Sequence, residues 1–424
     1  MHTHGLSLDE WLAQIETYSP QEINLGLERV ETLLRRLDLV LPETVFHVAG
    51  TNGKGSSAAM LDALLRTTGA RVGCYTSPHL LRYNERIRLG GVEATDAQIV
   101  AAFELIESVR GDVPLTYFEF GTLAAMAVFA AADIEIVVLE VGMGGRLDAV
   151  NAIEPTAGLI TNVSLDHCAW LGDDIEAVAS EKAGIMRANK PVVFAARDLP
   201  SAIMERADAV GARLIAAGRD YQWSIDGDRW SWRGVKHSSH DLARPAVPGD
   251  IQVQNAAGVL ALLEVAGFDT LLRTDVIDNT LGHLQILGRM QAVGENWLLD
   301  VAHNPAASDA LADTLREQKT AGSTIVILGM LDDKDVEGVV TPLSDHVDQW
   351  IAVTADSPRA TPATELARRV ANTSNRPCLI SNSLPDAIEH ARDSAGTDGR
   401  ILVTGSFYVV GAALRHGLYS RRYG

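Results

Sequence analysis

The sequence has three cysteines in 424 residues and no long apolar run, and both scarcities exclude classes of protein. Cys74, Cys168 and Cys378 lie far apart without CxxC spacing, which argues against a disulfide framework and against a cysteine-ligated zinc site. The longest apolar stretch, Leu123 to Ala132, is shorter than the roughly 20 residues that a transmembrane helix needs. The N-terminus lacks a basic-then-apolar signal pattern. We therefore expect a soluble, cytoplasmic protein.

Basic residues are also scarce. The chain has 36 Lys and Arg against 55 Asp and Glu, a formal net charge of −19. Nucleic acids and anionic membranes are bound through a basic surface, so neither is expected as a partner. Hydrophobic residues make up 47% and charged residues 21%, which are ordinary values for globular proteins and exclude extensive disorder. The length predicts two or three domains.

Short β-branched runs alternate with alanine-rich amphipathic stretches, a rhythm typical of βαβ units on a mostly parallel sheet. The pattern stops and restarts near residues 284–296. We therefore predict an α/β domain over residues 1–284, a linker over 285–296 and a smaller Rossmann-like α/β domain over 297–424. Residues 221–241 differ, because three tryptophans alternate around a turn and predict a small β-hairpin with an aromatic face that packs locally.

The strongest motif is Gly50-Thr-Asn-Gly-Lys54-Gly-Ser56, between a predicted strand (45–49) and a helix expected to start at Ser56. The backbone amides of such a turn and the helix N-terminus behind it form an anion site, and Lys54 can reach terminal phosphates. The spacing differs from the usual phosphate loop, since two residues separate the first two glycines. An ordinary glycine turn is the alternative, and the surrounding lysine and serines disfavour it.

Three polar residues follow strands that end at the same predicted sheet edge: Ser77, Glu140 and His167. Ligands of open α/β sheets bind at the carboxyl ends of the strands. Mg²⁺ prefers oxygen ligands, which Glu140 and Ser77 supply and His167 does not. Taken singly, each residue has an ordinary structural explanation: Ser77 as a helix cap, Glu140 as an ion-pair partner and His167 as a loop histidine. Their shared placement favours a metal site.

Other charged residues leave two interpretations open. Lys182 would by default be an exposed helical lysine. Arg82, Arg86 and Arg88 form a basic cluster in the sequence that is either a solvated surface or a docking site for an anionic substrate, with Arg82 as the candidate contact.

In the predicted second domain, Asp300-Val-Ala-His303-Asn-Pro305 follows a strand and precedes a helix. It is either a polar turn that caps the helix or, with Arg289, part of a nucleotide site. The short turn Thr404-Gly-Ser-Phe407 is by itself a weak signal.

Taken together, the motifs resemble the bacterial bifunctional dihydrofolate synthase/folylpolyglutamate synthases of the Mur-ligase-like superfamily. The matching segments lie in order over nearly the whole chain, and the unusual spacing of the phosphate loop is the family's own. They are Gly50–Ser56, Thr76–Leu80, Thr116–Glu119, Leu139–Gly142, Gly145–Ala149, Leu165–His167, Glu181–Gly184 and Asp300–Pro305. The match is poor in the N-terminal loop around Thr17 to Pro20.

The resemblance implies an ATP-dependent ligase that joins L-glutamate to 7,8-dihydropteroate and adds glutamates to reduced folates. It implies a P-loop first domain of the Mur-ligase central type that binds ATP and pterin, and two Mg²⁺ ions per site, held by Ser77, Glu140 and His167. A monovalent cation is a further candidate. The residues that match the family's ATP contacts are Thr51, Asn52, Gly53, Lys54, Gly55, Ser56, Asn255, Arg289 and Asp300.

The resemblance also implies roles for the remaining candidates. The lysine matching Lys182 is carbamylated in the family. The pterin contacts correspond to Thr116, Tyr117, Phe118 and Glu119 and to Leu147, Asp148 and Ala149. Lys54, Lys182 and His303 are the catalytic candidates, although a carboxylate is an equal alternative to His303 as the base for the glutamate amine. We expect a monomer.

Three alternatives compete with this hypothesis. A monofunctional folylpolyglutamate synthase would share the fold, and Thr116–Glu119 argues for the bifunctional form. A peptidoglycan-precursor ligase is disfavoured by the folate-type motifs. A nucleotide-dependent switch or motor that binds a protein partner is disfavoured by the metal cluster and by the Asp300–Pro305 motif.

Overall fold

A computed structural model describes residues 5–19 and 24–418 of the chain. Pro20, the last residue of the N-terminal loop named above, lies outside these ranges. The chain divides into two compact units. The N-terminal unit comprises Met1–His79, Tyr83–Pro245 and Val253–Leu284. The C-terminal unit comprises Leu80–Arg82, Ala246–Gln252 and Gln285–Gly424, so two short segments from the first half of the chain belong to it.

Within the described residues, the N-terminal unit is built on an eight-stranded sheet of order β4-β3-β2-β5-β1-β6-β7-β8. Five neighbouring pairs are parallel, and the two pairs at one edge, β2·β3 and β3·β4, are antiparallel. The mostly parallel α/β prediction is therefore confirmed. The strands are β1 (Thr44–Ala49), β2 (Val72–Tyr75), β3 (Ile87–Leu89), β4 (Val92–Glu93), β5 (Ile136–Glu140), β6 (Ala157–Ile160), β7 (Pro191–Phe194) and β8 (Arg213–Ala216).

Helices cover both faces of this sheet, which explains why its central strands are continuously apolar. Val45 and Ala49 of β1 face one core, with residues of α1, α2, α4 and α5, whereas Phe46 and Val48 face a second core, with residues of α3 and α9. The helices are α1 (Leu8–Ile15), α2 (Glu28–Leu37), α3 (Lys54–Arg66), α4 (Asp96–Arg110), α5 (Tyr117–Ala131), α6 (Cys168–Leu171), α7 (Ile175–Ala183), α8 (Ser201–Val210), α9 (Asp250–Val265) and α10 (Thr274–Leu281).

The tryptophan-rich segment forms a three-stranded antiparallel sheet rather than a hairpin alone, because a third strand joins the predicted pair. Its strands are β9 (Gln222–Asp226), β10 (Arg229–Arg233) and β11 (Ser238–Ala243). Trp223, Trp230 and Trp232 are buried in the second core, as expected for local packing.

The C-terminal unit has a six-stranded sheet, within the described residues, of order β12-β13-β17-β14-β15-β16. The sheet is parallel except for β12, which lies inside the segment that we expected to be a linker. The strands are β12 (Gln291–Val293), β13 (Trp297–Leu299), β14 (Thr324–Leu328), β15 (Gln349–Ala352), β16 (Cys378–Ile380) and β17 (Arg400–Thr404). The helices are α11 (Pro305–Glu317), α12 (Val336–Leu343), α13 (Ala363–Ser374), α14 (Leu384–Ala395) and α15 (Phe407–Ala413).

Short 3₁₀ turns complete the structure, at Tyr83–Arg86, Ala149–Ala152, Asp269–Leu272 and Ser344–His346, and a π-helical turn covers Leu414–Leu418. No helix in the described part of the chain has both the length and the apolar character to cross a bilayer.

Candidate active site

The glycine-rich loop connects β1 to α3, and the helix begins at Lys54, two residues earlier than predicted. Gly50 has a φ of +147°, a conformation that side-chain-bearing residues rarely adopt. A Cβ at Gly50 would also overlap the hydroxyl of Thr161. The loop therefore requires glycine here for both conformation and space.

Residues that follow β6 hold the loop in place. The Thr161 hydroxyl donates to the carbonyl of Asn52 over 2.6 Å, and the Asn162 side chain accepts the Asn52 amide over 3.0 Å. The Thr51 hydroxyl donates to the Ser164 carbonyl and accepts the Ser164 amide, both over 3.0 Å. These residues could not be predicted from the sequence, because nothing in the local pattern shows which strand lies beside the loop.

Lys54 folds back over the loop that precedes it. Its Nζ donates to the carbonyls of Gly50 and Thr51, each over 3.1 Å. Asn255, on α9, lies against the same loop, since a Cβ at Gly53 would come within 2.6 Å of its Oδ1. The structure thus brings the distant Asn255 together with the phosphate loop.

Glu140 ends β5, a neighbour of both β1 and β2, and its side chain is buried. Its Oε2 accepts the backbone amide of Ser77 over 3.1 Å. A Cβ at Gly55 would lie 3.6 Å from the same oxygen, so the first turn of α3 also faces the carboxylate. Ser77, Glu140 and the phosphate loop therefore share one sheet edge.

His167 follows β6 and precedes α6, with a φ of +52°. Its backbone amide donates to the carboxylate of Asp166 over 2.8 Å. Among the described residues no group of three His, Cys, Asp or Glu side chains is placed to hold a metal ion. A carboxylate and a hydroxyl at the phosphate loop nevertheless fit Mg²⁺, which retains waters and takes few protein ligands.

Lys182 is buried, with 2% of its surface exposed, and is not the exposed helical lysine that its polar neighbours suggest. Burial lowers its pKa to about 7, with a further lowering by the charge of Lys54 and an opposing effect of Asp166. Lys182 therefore belongs to the same electrostatic environment as the phosphate loop.

The motif around Lys182 is explained by packing against residues 145–146. The Arg146 amide donates to the Glu181 carbonyl over 2.9 Å, and the two side chains form an ion pair of 2.8 Å. A Cβ at Gly184 would overlap Arg146, so the close approach requires glycine. This contact fixes the end of α7, which carries Lys182.

The expected pterin-binding segment 116–119 forms the start of α5. Thr116 and Glu119 make a capping box, in which each side chain accepts the other's backbone amide, and both side chains are buried. Tyr117 and Phe118 are half-buried, and Phe118 packs on Tyr75 with ring centroids 6.1 Å apart. The two aromatic residues are therefore the part of this segment that a ligand can reach.

The second expected pterin segment, 147–149, contains a carboxylate with an unusual pKa. Burial raises the pKa of Asp148 to about 7, although the amides of Met143 and Val150 donate to it over 2.8 and 3.0 Å. Lys54 lowers this pKa to a smaller extent. Leu147 is half-buried and Ala149 is buried.

A further segment, Asn24–Arg29, lies beside both expected pterin segments and was missed by the sequence analysis. The Gly26 amide donates to the Leu147 carbonyl over 3.3 Å, and Arg29 forms an ion pair of 2.9 Å with Glu119. Its sequence carries no recognisable binding motif, so only the contacts reveal it.

The three arginines of the expected basic cluster have different surroundings. Arg82 is exposed and belongs to the C-terminal unit. The guanidinium of Arg86 lies 5.4 Å from the centre of the Tyr83 ring, and its Nε donates to His79 over 2.9 Å. Arg88, on β3, instead interacts with the carboxylate of Asp62, where burial raises the pKa and the charges of Arg66 and Arg88 oppose that rise.

In the C-terminal unit, Asp300 organises the turn after β13. Its carboxylate accepts the amides of Met290 and Ala302 over 2.9 and 2.8 Å, and burial raises its pKa against the effect of Arg289. The His303 Nδ1 donates to the Val301 carbonyl over 2.8 Å.

Phe407 lies near the other two polar candidates of this unit, Arg289 and His303. The guanidinium of Arg289 lies 5.6 Å from the centre of its ring, and the His303 ring centroid lies 6.0 Å from it. The turn also caps α11 through Asn304. The segment therefore serves both as a helix cap and as a cluster of charged groups.

Comparison with known proteins identifies the family. The sequence matches the Mur ligase middle domain over residues 48–263 and the Mur ligase glutamate ligase domain over residues 288–407. A dihydrofolate synthase/folylpolyglutamate synthase of Escherichia coli (strain K12) is 37% identical over 406 residues, which cover 95% of this chain and 94% of that protein.

Solved structures agree with this assignment. E. coli FolC in complex with DHPP and ADP superimposes with a TM-score of 0.92 at 36% identity, over 97% of this chain and 98% of that one. A bifunctional folylpolyglutamate synthase/dihydrofolate synthase with Mn, AMPPNP and L-glutamate bound gives a TM-score of 0.89 at 38% identity, with the same coverage. The chain belongs to the dihydrofolate synthase/folylpolyglutamate synthase family of Mur ligases.

Proposed function

We propose that this chain is a bifunctional ATP-dependent ligase. It joins L-glutamate to 7,8-dihydropteroate to give 7,8-dihydrofolate, ADP and phosphate, and it adds further glutamates to reduced folates through the γ-carboxylate. The observation that carries the proposal is the position of Glu140, whose carboxylate meets both the Ser77 amide and the first turn of the phosphate-loop helix. Relatives solved with DHPP, ADP, AMPPNP and L-glutamate support the same substrates.

The reaction must activate a carboxylate, which is a poor electrophile. An oxygen of the pteroate carboxylate attacks the γ-phosphorus of ATP, ADP leaves, and an acyl phosphate forms. The glutamate amine then attacks the acyl carbon, an amide bond forms, and phosphate leaves. Because charge is spread over the phosphoryl oxygens, the protein contributes mainly positioning and electrostatic stabilisation. The loop amides and Lys54 are suited to both tasks, and residues 51–56 with Asn255 would contact the ATP.

Ser77, Glu140 and His167 would hold Mg²⁺, with a second ion and a monovalent cation as further proposals. The divalent ion supplies charge neutralisation at the phosphates. The Glu140 carboxylate, which accepts the Ser77 amide, supplies the oxygen ligands that Mg²⁺ prefers. The donor chemistry of this pair supports a hard cation.

We also propose that Lys182 is carbamylated. The neutral amine would attack CO₂ at carbon, a new N–C bond would form, and one proton would leave to solvent, which turns a cation into a carboxylate. The pKa of about 7 supports this step, since roughly half of the amine is neutral at that pH. The modification would also replace the repulsion between Lys182 and Lys54 by attraction.

In the C-terminal unit, Arg289 and Asp300 would contact the nucleotide, and His303 would accept the proton of the glutamate amine. The His303 Nδ1 donates to a carbonyl, so in the neutral ring Nε2 is the acceptor. The pterin would contact Tyr117 and Phe118, the segment Leu147–Ala149 and the segment Asn24–Gly26. Thr116 and Glu119 would hold the turn that carries the two aromatic residues. Arg82 is a candidate for the substrate carboxylate. We propose a cytoplasmic monomer without nucleic-acid or membrane partners.

The test is steady-state ADP release with single omissions. The proposal expects turnover only when ATP, Mg²⁺, L-glutamate and either dihydropteroate or tetrahydrofolate are all present. Activity with tetrahydrofolate but none with dihydropteroate would instead indicate a monofunctional folylpolyglutamate synthase. ATP hydrolysis unaffected by either substrate would refute the ligase assignment.

A further inference from the structure

Arg29 lies where three segments of the N-terminal unit meet. It is on the first turn of α2, and only 19% of its side chain is exposed. Its Nε donates to both carboxylate oxygens of Glu119, over 3.0 and 3.2 Å, and its Nη2 lies 2.9 Å from Oε1. The same Nη2 donates to the carbonyl of Asn24. One guanidinium therefore joins α2, the start of α5 and the segment at Asn24.

Glu119 completes this junction from the other side. Its Oε2 accepts the backbone amide of Thr116 over 2.8 Å, and its side chain is 4% exposed. The carboxylate thus fixes the first turn of α5, on which Tyr117 and Phe118 are the half-buried residues. A buried carboxylate is costly without a partner, and Arg29 is the cation that faces it.

The segment Asn24–Gly26, whose Asn24 carbonyl accepts from Arg29, also contacts the second expected pterin segment, 147–149. The Gly26 amide donates to the Leu147 carbonyl, next to Asp148. Arg29 is therefore connected, through Glu119 and through Asn24–Gly26, to both segments that flank the proposed pterin site. Its own side chain is directed to these internal acceptors.

We propose that Arg29 is a positioning residue that sets the geometry of the pterin site, an inference that rests on the proposed function. Its guanidinium fixes the first turn of α5 relative to Asn24–Gly26, so the pterin ring meets its contacts at the correct spacing. Arginine is needed because it donates in two directions from one planar group, whereas the ammonium of lysine is a point charge with a different geometry.

Arg29→Lys is the variant to measure, because it keeps the charge opposite Glu119. Arg29 also borders an open cleft of about 560 Å³, so the shorter side chain leaves space that water can enter and the fold should persist. Arg36→Lys is the matched control. Arg36 is on the same helix and borders the same cleft, but its Nη1 donates to the carbonyls of Val109 and Arg110.

The experiment measures KM for dihydropteroate, KM for ATP, kcat and Tm for the full chain. Arg29→Lys should raise the dihydropteroate KM about tenfold and leave the ATP KM unchanged, because displaced contacts weaken substrate binding. Arg36→Lys should change neither constant. An unchanged dihydropteroate KM, or a parallel rise in the ATP KM, would overturn the inference. Absence of dihydropteroate use by the unmodified chain would refute the proposed function instead.

A second variant isolates the pair. Glu119→Gln keeps an acceptor for the Thr116 amide and removes the charge that Arg29 faces. Glu119→Gln should raise the dihydropteroate KM as Arg29→Lys does. In the double variant, the change in binding free energy should be smaller than the sum of the two single changes, because both substitutions disrupt one contact. Additive effects would mean that the two residues act separately and would contradict the positioning role.

Discussion

The carboxylate of Glu140 accepts the backbone amide of Ser77 over 3.1 Å, from the neighbouring strand of the sheet. Glu140 is the last residue of β5, Ser77 follows the carboxyl end of β2, and the first turn of α3 faces the same carboxylate. A carboxylate that is buried and held by a backbone amide has a fixed position. Such a group can hold a cation at the phosphates without moving.

Glu140→Gln tests this role. The amide side chain still accepts the Ser77 amide, so folding should be retained, but the charge that would bind Mg²⁺ is lost. We expect kcat to fall about 100-fold or more, since charge stabilisation at the reacting phosphate is lost. Glu135→Gln, at an exposed residue just before the same strand, is the control and should be fully active. Equal activity of the two variants would exclude Glu140 from the site.

Gly50→Ala tests the phosphate loop. The added methyl group would overlap Thr161 and strain the backbone, so the loop must move and ATP binding should be lost. Gly69→Ala is the control, because Gly69 also has a positive φ but open space around it, and should cost only about 1–2 kcal/mol of stability. Isothermal titration calorimetry with ATP measures the nucleotide affinity of both variants, and Gly69→Ala should bind normally. Normal ATP affinity of Gly50→Ala would contradict the assigned loop.

The carbamate on Lys182 can be observed directly. The protein equilibrated with ¹³C-bicarbonate near pH 7.5 should give one protein-bound carbamate signal by ¹³C NMR, because a pKa of about 7 leaves much of the amine neutral. Lys182→Ala should lose the signal. Lys190→Ala, which removes an exposed lysine, should retain it. A spectrum without the signal in the unmodified chain would exclude carbamylation under these conditions.

Stability should depend on pH through His47, which lies in the centre of β1. Burial lowers its pKa to about 3, with an added effect of Arg187, whereas an unfolded histidine has a pKa near 6.5. Between these values the unfolded chain binds more protons, so the free energy of unfolding falls as pH falls below 6.5, by at most about 1.4 kcal/mol per pH unit.

His47→Leu removes this contribution. Relative to the unmodified chain, the variant should become progressively more stable as pH falls from 6.5 to 4.5 in urea unfolding. His240→Gln, which replaces an exposed histidine, should follow the unmodified chain. Parallel pH profiles for His47→Leu and the unmodified chain would show that His47 does not titrate on unfolding.

Much of the fold could be predicted because apolar periodicity is a local signal. The run 45–49 became β1, which begins one residue earlier, and the helix expected to start at Ser56 became α3, which begins two residues earlier. Strand β12 was missed inside the expected linker because its three residues are too few to show a period. The segments that join the C-terminal unit, such as Leu80–Arg82, were missed because their partners are distant in sequence.

The site was predictable where residues follow strand ends. Ser77 and Glu140 meet because β2 and β5 are neighbours, and the carboxyl ends of parallel strands share one edge. The burial of Lys182 has no local signal, because contacts of α7 such as that of Gly184 with Arg146 join residues that are distant in sequence. The arginines at 82, 86 and 88 are close in sequence, but their surroundings could not be predicted, because a strand begins between them and Arg82 belongs to the other unit.

The central claim is that the substrate carboxylate is activated as an acyl phosphate, and the most direct test follows the oxygen atoms of that carboxylate. Dihydropteroate labelled with ¹⁸O in its carboxylate is incubated with the chain, ATP, Mg²⁺ and L-glutamate, and the released phosphate is analysed by mass spectrometry. An acyl phosphate intermediate predicts one ¹⁸O atom in each phosphate formed with dihydrofolate. Phosphate without ¹⁸O, formed together with dihydrofolate, would contradict activation of the carboxylate by phosphoryl transfer.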